Sequence, residues 1–346
     1  SSVTLSNLII RNNESLNFGA GIGLVDSDSE LNNILIENNE IPGIDALGGS
    51  GIAVNGGNTQ INDCIIRNNS VGLNFYQLNG GGGILCGFNF SDTPLELTVT
   101  NSEIYNNSAN IGAGIGALSG NILLDRTLIY NNTGEYGSAI SLGEPLGLVI
   151  DNIHMTILQS TIAKNQGGFS IGMIDNSIIN LVNSILWNEE SELEFTTLPN
   201  NSSVNAHAYY SNARILDNID ITQSLSSNPL FNEYYESNFN LLDTSPCIDS
   251  GTDFLEINDN VIIDIEESEY YGNMPDMGYF EYYGDTVYGD INLDNILNVL
   301  DIILIVNLII DGFISEEYNE ETADLTQDGI VNILDIVALV NLIITN

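Results

Sequence analysis

Basic residues are nearly absent from this chain. Its 346 residues carry 5 Lys and Arg against 47 Asp and Glu, a formal charge of −42. So few cations cannot neutralise phosphates, which excludes nucleic acid and opposes binding to anionic membranes. The same charge attracts divalent cations. Cysteine is scarce too: Cys64, Cys86 and Cys247 are too few and too scattered for a disulfide framework. The odd count leaves at least one thiol free, expected as a small buried hydrophobe. The longest apolar run, residues 302–310, is broken at Asn307 and too short to span a bilayer. The opening Ser1-Ser2-Val3-Thr4 has neither Met nor a signal peptide, which reads as a processed or trimmed product. Hydrophobic residues still make up 43% of the chain, enough for a large core in one to three domains.

Repetition is abundant. The phrase Leu8-Ile9-Ile10-Arg11-Asn12-Asn13 returns as Ile34-Leu35-Ile36-Glu37-Asn38-Asn39 and as Cys64-Ile65-Ile66-Arg67-Asn68-Asn69. Weaker copies end at Asn106, Asn131, Asn165 and Asn188. A second phrase follows most copies, with Ile22, Ile52, Ile84, Ile115, Ile140 and Ile171 each preceded by a small residue. A short β-branched strand, an Asn corner, a Gly-rich corner and another strand describe one coil of a right-handed parallel β-helix. Asn tolerates left-handed backbone at corners, and its 49 occurrences fit a stack of turns. No coil can bury its apolar face alone, so the coils must stack. Ile36 and Ile66 are placed inward and Arg67 outward.

These phrases resemble the repeats of secreted right-handed β-helix proteins and of autotransporter-type adhesins, over about residues 1–195. The stretch from Asn228-Pro229-Leu230-Phe231 to Asp276-Met277-Gly278-Tyr279-Phe280-Glu281 resembles the closing segment of the same proteins, which implies a cap. The expected organisation is a β-helix over 1–227, closing coils and cap over 228–284, and a small α-helical module over 285–346.

That last module contains a sharper repeat, two twelve-residue loops offset by 34 residues. Asp290, Asn292, Asp294, Asn298 and Asp301 supply side-chain oxygens at positions 1, 3, 5, 9 and 12 of the first loop. Asp324, Thr326, Asp328, Asn332 and Asp335 do so in the second. Ile296 and Ile330 offer backbone carbonyls at position 7. This is the oxygen spacing of an EF-hand-type calcium loop, so two Ca2+ ions are expected, the weaker at the Thr326 loop. A single helix follows each loop and Asp stands at position 12; duplicated loop–helix units of this kind look like a dockerin. Carried through their helices, the two units match at 12 of 21 positions. Both helices are apolar nearly all round, which leaves Ile303, Val306, Ile310, Val337, Val340 and Ile344 to meet a partner. The expected partner is a cohesin-like domain or a copy of the same chain.

Parallel β-helices host pectate-type lyases and polygalacturonase-type hydrolases, but neither the Asn-Thr-Asp nor the Gly-His-Gly phrase of the hydrolases occurs. His154 and His207 stand alone. The chain is therefore expected not to be an enzyme but an extracellular or cell-surface calcium-binding scaffold or adhesin. A self-assembling filament, suggested by coil-like sequence from the first ten residues, and a polysaccharide lyase or hydrolase are the alternatives. Two further surfaces stand out. The residues before each corner Asn include Tyr105, Tyr130, Lys164 and Trp187, a candidate glycan platform that makes polysaccharide a candidate partner. Asp26, Asp28 and Glu30 alternate, placing three carboxylates on one strand face that could hold another calcium.

Overall fold

The computed structural model describes residues 2–42, 48–72, 80–88, 93–143, 153–174, 177–188, 191–198, 205–214, 220–283, 288–292, 297–311, 320–326 and 329–345. The chain divides into two compact units, Ser1–Tyr282 and Tyr283–Asn346.

The first unit is a parallel β-helix. Among the described residues, one thirteen-stranded sheet stacks Ser2–Arg11, Asp28–Glu37, Leu95–Tyr105 and Gly120–Tyr130 with shorter strands of the same register. A seven-stranded sheet stacks Ile22–Val25, Ile52–Asn55, Ile84–Cys86 and four further strands. Every pairing within these two sheets is parallel, as a coil stacked on a coil requires. Ile22, Ile52, Ile84, Ile115, Ile140 and Ile171 align in one inward column, all buried. The small residue before each is a packing requirement: a Cβ on Gly51 would stand 2.4 Å from the Gly83 carbonyl oxygen.

Most coils turn at two left-handed residues. One column of corners contains Asn7, Asn33, Asp63, Asn101 and Arg126, and the next contains Asn12, Asn38, Asn68, Asn106, Asn131 and Lys164, all at φ between 47° and 59°. Asn accepts this backbone at low cost because its short amide bonds locally. The second Asn of each pair has a different task. Asn39, Asn69, Asn107, Asn132, Asn165 and Asn188 are buried and form a ladder. The backbone N–H and Nδ2 of Asn69 both donate to Asn107 Oδ1 at 3.0 Å, and Nδ2 also donates to the Ile36 carbonyl at 3.0 Å. The same pattern recurs at every step from Asn39 to Asn165. Such an amide leaves no donor unmade, which is what makes its burial tolerable. Asn165 and Asn188 therefore belong to the ladder and not to the corner; Lys164 holds the corner in its coil.

A second ladder uses hydroxyls. The Cys64 N–H donates to Ser102 Oγ at 3.0 Å, and Thr127, Ser160, Ser184 and Ser211 continue the column. All three cysteines are free and buried. Loss of hydration pushes the Cys86 thiol up to about 12 and the Cys247 thiol to about 11, so neither is a nucleophile at neutral pH.

Residues 228–282 pack along the flank of the solenoid. Phe231, Phe239, Leu241 and Met277 cover the outward side chains Leu128, Ala163, Ile185 and Trp187. A hairpin of Phe254–Ile257 and Asn260–Asp264 contributes Ile263, which packs with Ile265 on Leu158 and Val182. Inside this flank lie two carboxyls that, among the described residues, have no cation in contact. Asp276 accepts the N–H groups of Asp249 at 2.7 Å and Tyr282 at 2.6 Å; Glu281 accepts those of Tyr271 and Asp276. Burial, opposed by these N–H groups, pushes Asp276 up to about 6; burial and the neighbouring Asp276 push Glu281 up to about 7.

Two outcomes follow from this packing. Ile66→Asn should cost about 4 kcal/mol by stranding an amide in the 0%-exposed Ile66 position. Arg67 points outward as expected, but it is not a free surface side chain. Its Nε and Nη2 donate to Glu37 Oε2 at 2.9 and 2.7 Å, and Nη1 donates to the Tyr105 hydroxyl at 2.8 Å, while Glu37 is buried. Arg67→Thr should cost about 1 kcal/mol in urea unfolding, discounted for the one-third exposure of the arginine (34%).

The raised carboxyls set a sign for pH. Above their ordinary values of 3.8 and 4.5, the folded groups retain protons that an unfolded chain has released. That stabilisation is complete below the ordinary values and is lost as pH rises through about 6 and about 7. The melting temperature of the solenoid unit should fall over this window, and Glu281→Gln should flatten the fall. An unchanged slope in the variant would show that the general charge of the chain governs it.

Candidate functional site

On the solenoid, Arg11, Glu37, Arg67, Tyr105 and Tyr130 align in one outward column. The next two members are Ala163 and Trp187, so Lys164 is not among them. Tyr105 and Tyr130 stack with centroids 4.6 Å apart, but Phe239 of the flank stands edge-on to Tyr130 at 5.4 Å. Lys164 Nζ donates to the Tyr235 carbonyl and to Ser237 Oγ at 3.2 Å, and Trp187 is 9% exposed. The four residues of the expected glycan platform are thus brought to one flank and largely covered there; they do not make an open aromatic face. The expected third calcium strand is also redirected. Asp26 occupies a left-handed corner at φ 45° and accepts Thr93 Oγ1 at 2.6 Å, whereas Asp28 and Glu30 lie on the strand Asp28–Glu37 beyond it.

An unforeseen charged group sits where the flank meets the open coils. Asp125 Oδ1 is buried with no hydrogen-bond partner. Arg126 Nε lies 3.9 Å from that oxygen, and Arg126 Nη2 lies 3.8 Å from Glu269 Oε2. Loss of hydration raises the Asp125 carboxyl above the ordinary range, Arg126 opposes the rise and Glu269 adds to it. Only one sequence signal pointed here: Arg126 takes a corner that most other coils give to Asn or Asp. Nearer the start of the chain, Ser2, Asp28, Ser29, Glu30, Asn58 and Gln60 line an open cleft of about 380 Å³.

The second unit builds two loops of one design. Asp301 Oδ1 accepts the Ile291 N–H at 3.0 Å, and its Oδ2 accepts the Asn298 N–H at 2.9 Å. Asn298 Oδ1 in turn accepts the Leu300 N–H at 2.7 Å, capping helix α1 (Val299–Asp311). Asp335, Asn332 and Leu334 repeat these bonds at the start of α2 (Ile333–Thr345). Positions 9 and 12 are therefore both ligand candidates and the N-terminal cap of the following helix. Gly329 takes the sharp turn at position 6 with φ 81°, and its N–H donates to Asp324 Oδ2 at 2.7 Å. Burial would raise the Asp335 carboxyl, but the Asn332 and Thr326 N–H groups and the Thr326 hydroxyl outweigh it and hold it low.

Asp290, Asp301 and Asp335 are buried, and residues 285–346 contain no Lys, Arg or His. The loops offer an all-oxygen donor set, which fits a hard ion such as calcium. Among the described residues no three such ligands converge. The position-5 ligands Asp294 and Asp328, and the carbonyl donor Ile296, lie outside the described residues; Asn292, Thr326 and Ile330 lie within them.

The helices pack through a core of Ile291, Ile305, Ala323 and Leu339. Of the expected partner face, Ile303, Ile310, Val337 and Ile344 are exposed, whereas Val306 and Val340 are half-buried. Val299 and Leu300 are also exposed, and so are their counterparts 34 residues on, Ile333 and Leu334. Two calcium-type loops, each capping an apolar helix, decide the module. Residues 288–344 match the dockerin type I domain.

Dockerin type I domains bind calcium and dock to cohesins, and they occur in secreted or cell-surface proteins. Among solved structures, the chain is similar to the crystal structure of pectate lyase Pel9A, at 13% identity and a TM-score of 0.47 over 80% of this chain and 73% of that one. At that identity and score the likeness carries nothing about chemistry. No curated protein matches the chain. The dockerin overturns one expectation. Dockerin proteins are commonly enzymes of polysaccharide breakdown, so the reading of the chain as a non-catalytic scaffold or adhesin is corrected. Among the described residues no helix is long and apolar enough to cross a membrane.

Calcium removal should unfold the dockerin and leave the solenoid intact, because its clustered carboxylates repel when unfilled. Calorimetry with chelator should lose one transition and keep another. A thermogram indifferent to chelator would contradict the assignment of these loops.

Proposed function

We propose that the chain is an extracellular polysaccharide-degrading protein, a lyase or a glycoside hydrolase, held on a cohesin-bearing partner by its dockerin. The observation that carries this reading is the pairing of a dockerin with a parallel β-helix in one chain. A docking module has a use when the attached domain must be kept near an insoluble target. The β-helix is a fold that hosts lyases and hydrolases of polysaccharides, an analogy at the level of fold. Two calcium ions, one per loop, fold the dockerin. Its duplicated apolar positions, Ile303 with Val337 and Ile310 with Ile344, are the contact points for the cohesin.

The test is to incubate the full chain, in calcium, with a panel of neutral and acidic polysaccharides and to measure new chain ends. Unsaturated ends mark a lyase, and new reducing ends without unsaturation mark a hydrolase. No new ends on any member of the panel would refute the catalytic reading. In parallel, Ile303→Asp with Val337→Asp should weaken cohesin binding at least about a hundredfold, with two hydrophobic anchors removed.

A further inference from the structure

The outward face of the thirteen-stranded sheet changes character along the solenoid. In the early coils its side chains are carboxylates, carboxamides and hydroxyls, among them Asp28, Glu30, Asn58, Gln60, Glu96 and Thr98. In the later strands one outward column changes: Asn32, Asn62, Thr100 and Asp125 give way to Leu158 and Val182, which pack with Leu123, Ile263 and Tyr270 at the hairpin, whereas the columns of Glu96 and Thr98 continue through Asn121 and His154 and through Leu123, Thr156 and Asn180. The result is a polar shelf along the solenoid, bordered in the later coils by the hairpin. At that border stands Asp125, on the same outward side of its strand as Leu123, with Arg126 and Glu269 beside it.

We infer that this shelf binds a neutral polysaccharide chain lying along the solenoid axis, beside the Asp125–Arg126–Glu269 group. The inference rests on the polysaccharide-directed reading above and names the substrate class and the face. Three observations support it. First, successive coils repeat the same polar columns at the strand spacing of about 4.8 Å, close to the interval of successive rings in an extended sugar chain. Sugar hydroxyls donate and accept together, and carboxylates and carboxamides are the side chains that meet them in pairs. The amides are pre-ordered: Asn62 Nδ2 donates to Asn32 Oδ1 at 2.9 Å and Asn33 Nδ2 to Asn7 Oδ1 at 2.7 Å. Second, the shelf is concave where Asp28, Glu30, Asn58 and Gln60 line the cleft of about 380 Å³. Third, its charge selects the ligand. Asp28, Glu30 and Glu96 are acidic. Four of the five basic residues lie elsewhere: Arg11 and Arg67 lie against Glu37, Lys164 is bound in the flank, and Arg214 follows the late strand Asn212–Ala213. A polyuronate would meet like charge at Asp28, Glu30 and Glu96, whereas a neutral glycan meets these groups only as hydrogen-bonding partners.

The experiment is affinity electrophoresis of the full chain in calcium, in gels containing mixed-linkage glucan, xyloglucan or galactomannan, and separately polygalacturonate or alginate. At least one neutral glycan should retard the protein more than either polyanion does. Glu30→Ala with Gln60→Ala should weaken that retardation about tenfold, the loss of one to two net hydrogen bonds. Asp125→Asn should weaken it less. Circular dichroism and melting of the double variant check that these surface changes leave the coil intact, and Asn58→Ala serves as a second probe of the same cleft. Retardation by a polyanion alone, by no neutral glycan, or by neutral glycan with unchanged affinity in the double and Asn58→Ala variants would each overturn the shelf. The outcome separates from that of the catalytic reading. Cleavage insensitive to these variants would sink the shelf alone, and variant-sensitive binding without cleavage would sink the enzyme alone.

Discussion

The first unit depends on a column of buried amides. Each ladder Asn holds the corner of its own coil against the next and also donates back to the strand of the coil before. Three coils are thereby tied at one side chain. Hydrophobic burial fills the space between the sheets, but it is indifferent to a small slide of one coil over another. The ladder is not indifferent. A carboxamide displaced by one residue would leave buried donors unmet, so the ladder fixes register while the isoleucine columns supply most of the burial energy. The hydroxyl column beginning at Cys64 and Ser102 repeats this logic at another corner, with a thiol where later coils have a hydroxyl.

Much of this was legible because the constraint is local. Left-handed corners select Asn, and close approach of coils selects Gly or another small residue before Ile, so the coil phrase appears in the sequence itself. The misreading at Lys164 has a plain cause. The Lys164 coil keeps its corner residue but not its corner asparagine, and the next coil drops the corner residue, with Asn188 directly after Trp187. Counting by asparagine alone then shifts the column by one. The calcium loops were legible because an ion of fixed coordination imposes fixed spacing. The closing segment was legible only by resemblance, as a cap; its place along the flank was not, since residues 228–282 obey no repeat and reach the coils through tertiary contacts such as Tyr279 N–H to Thr161 Oγ1, across 118 residues. The Asp125–Arg126–Glu269 group was hidden for the same reason: its third member comes from the flank.

Charge links the two units chemically. With so few basic residues, the chain meets its buried carboxylates in two ways. In the flank, Asp276 and Glu281 are met by backbone N–H groups and by retained protons. In the dockerin, the loop carboxylates belong to an all-oxygen donor set that fits a divalent ion. One solution responds to pH and the other to calcium, so the two units should answer to different features of the medium.

The intervals between successive ladder asparagines are 26, 30, 38, 25, 33 and 23 residues. Every coil nevertheless advances the stack by a single strand spacing. The contour length of a coil is thus uncoupled from its axial rise. Such a framework is permissive towards insertion: a coil can gain or lose a dozen residues at its rim without disturbing the coils above and below. Variation can accumulate at the periphery while the axis stays in register, so a solenoid of this kind can change what it touches without being rebuilt.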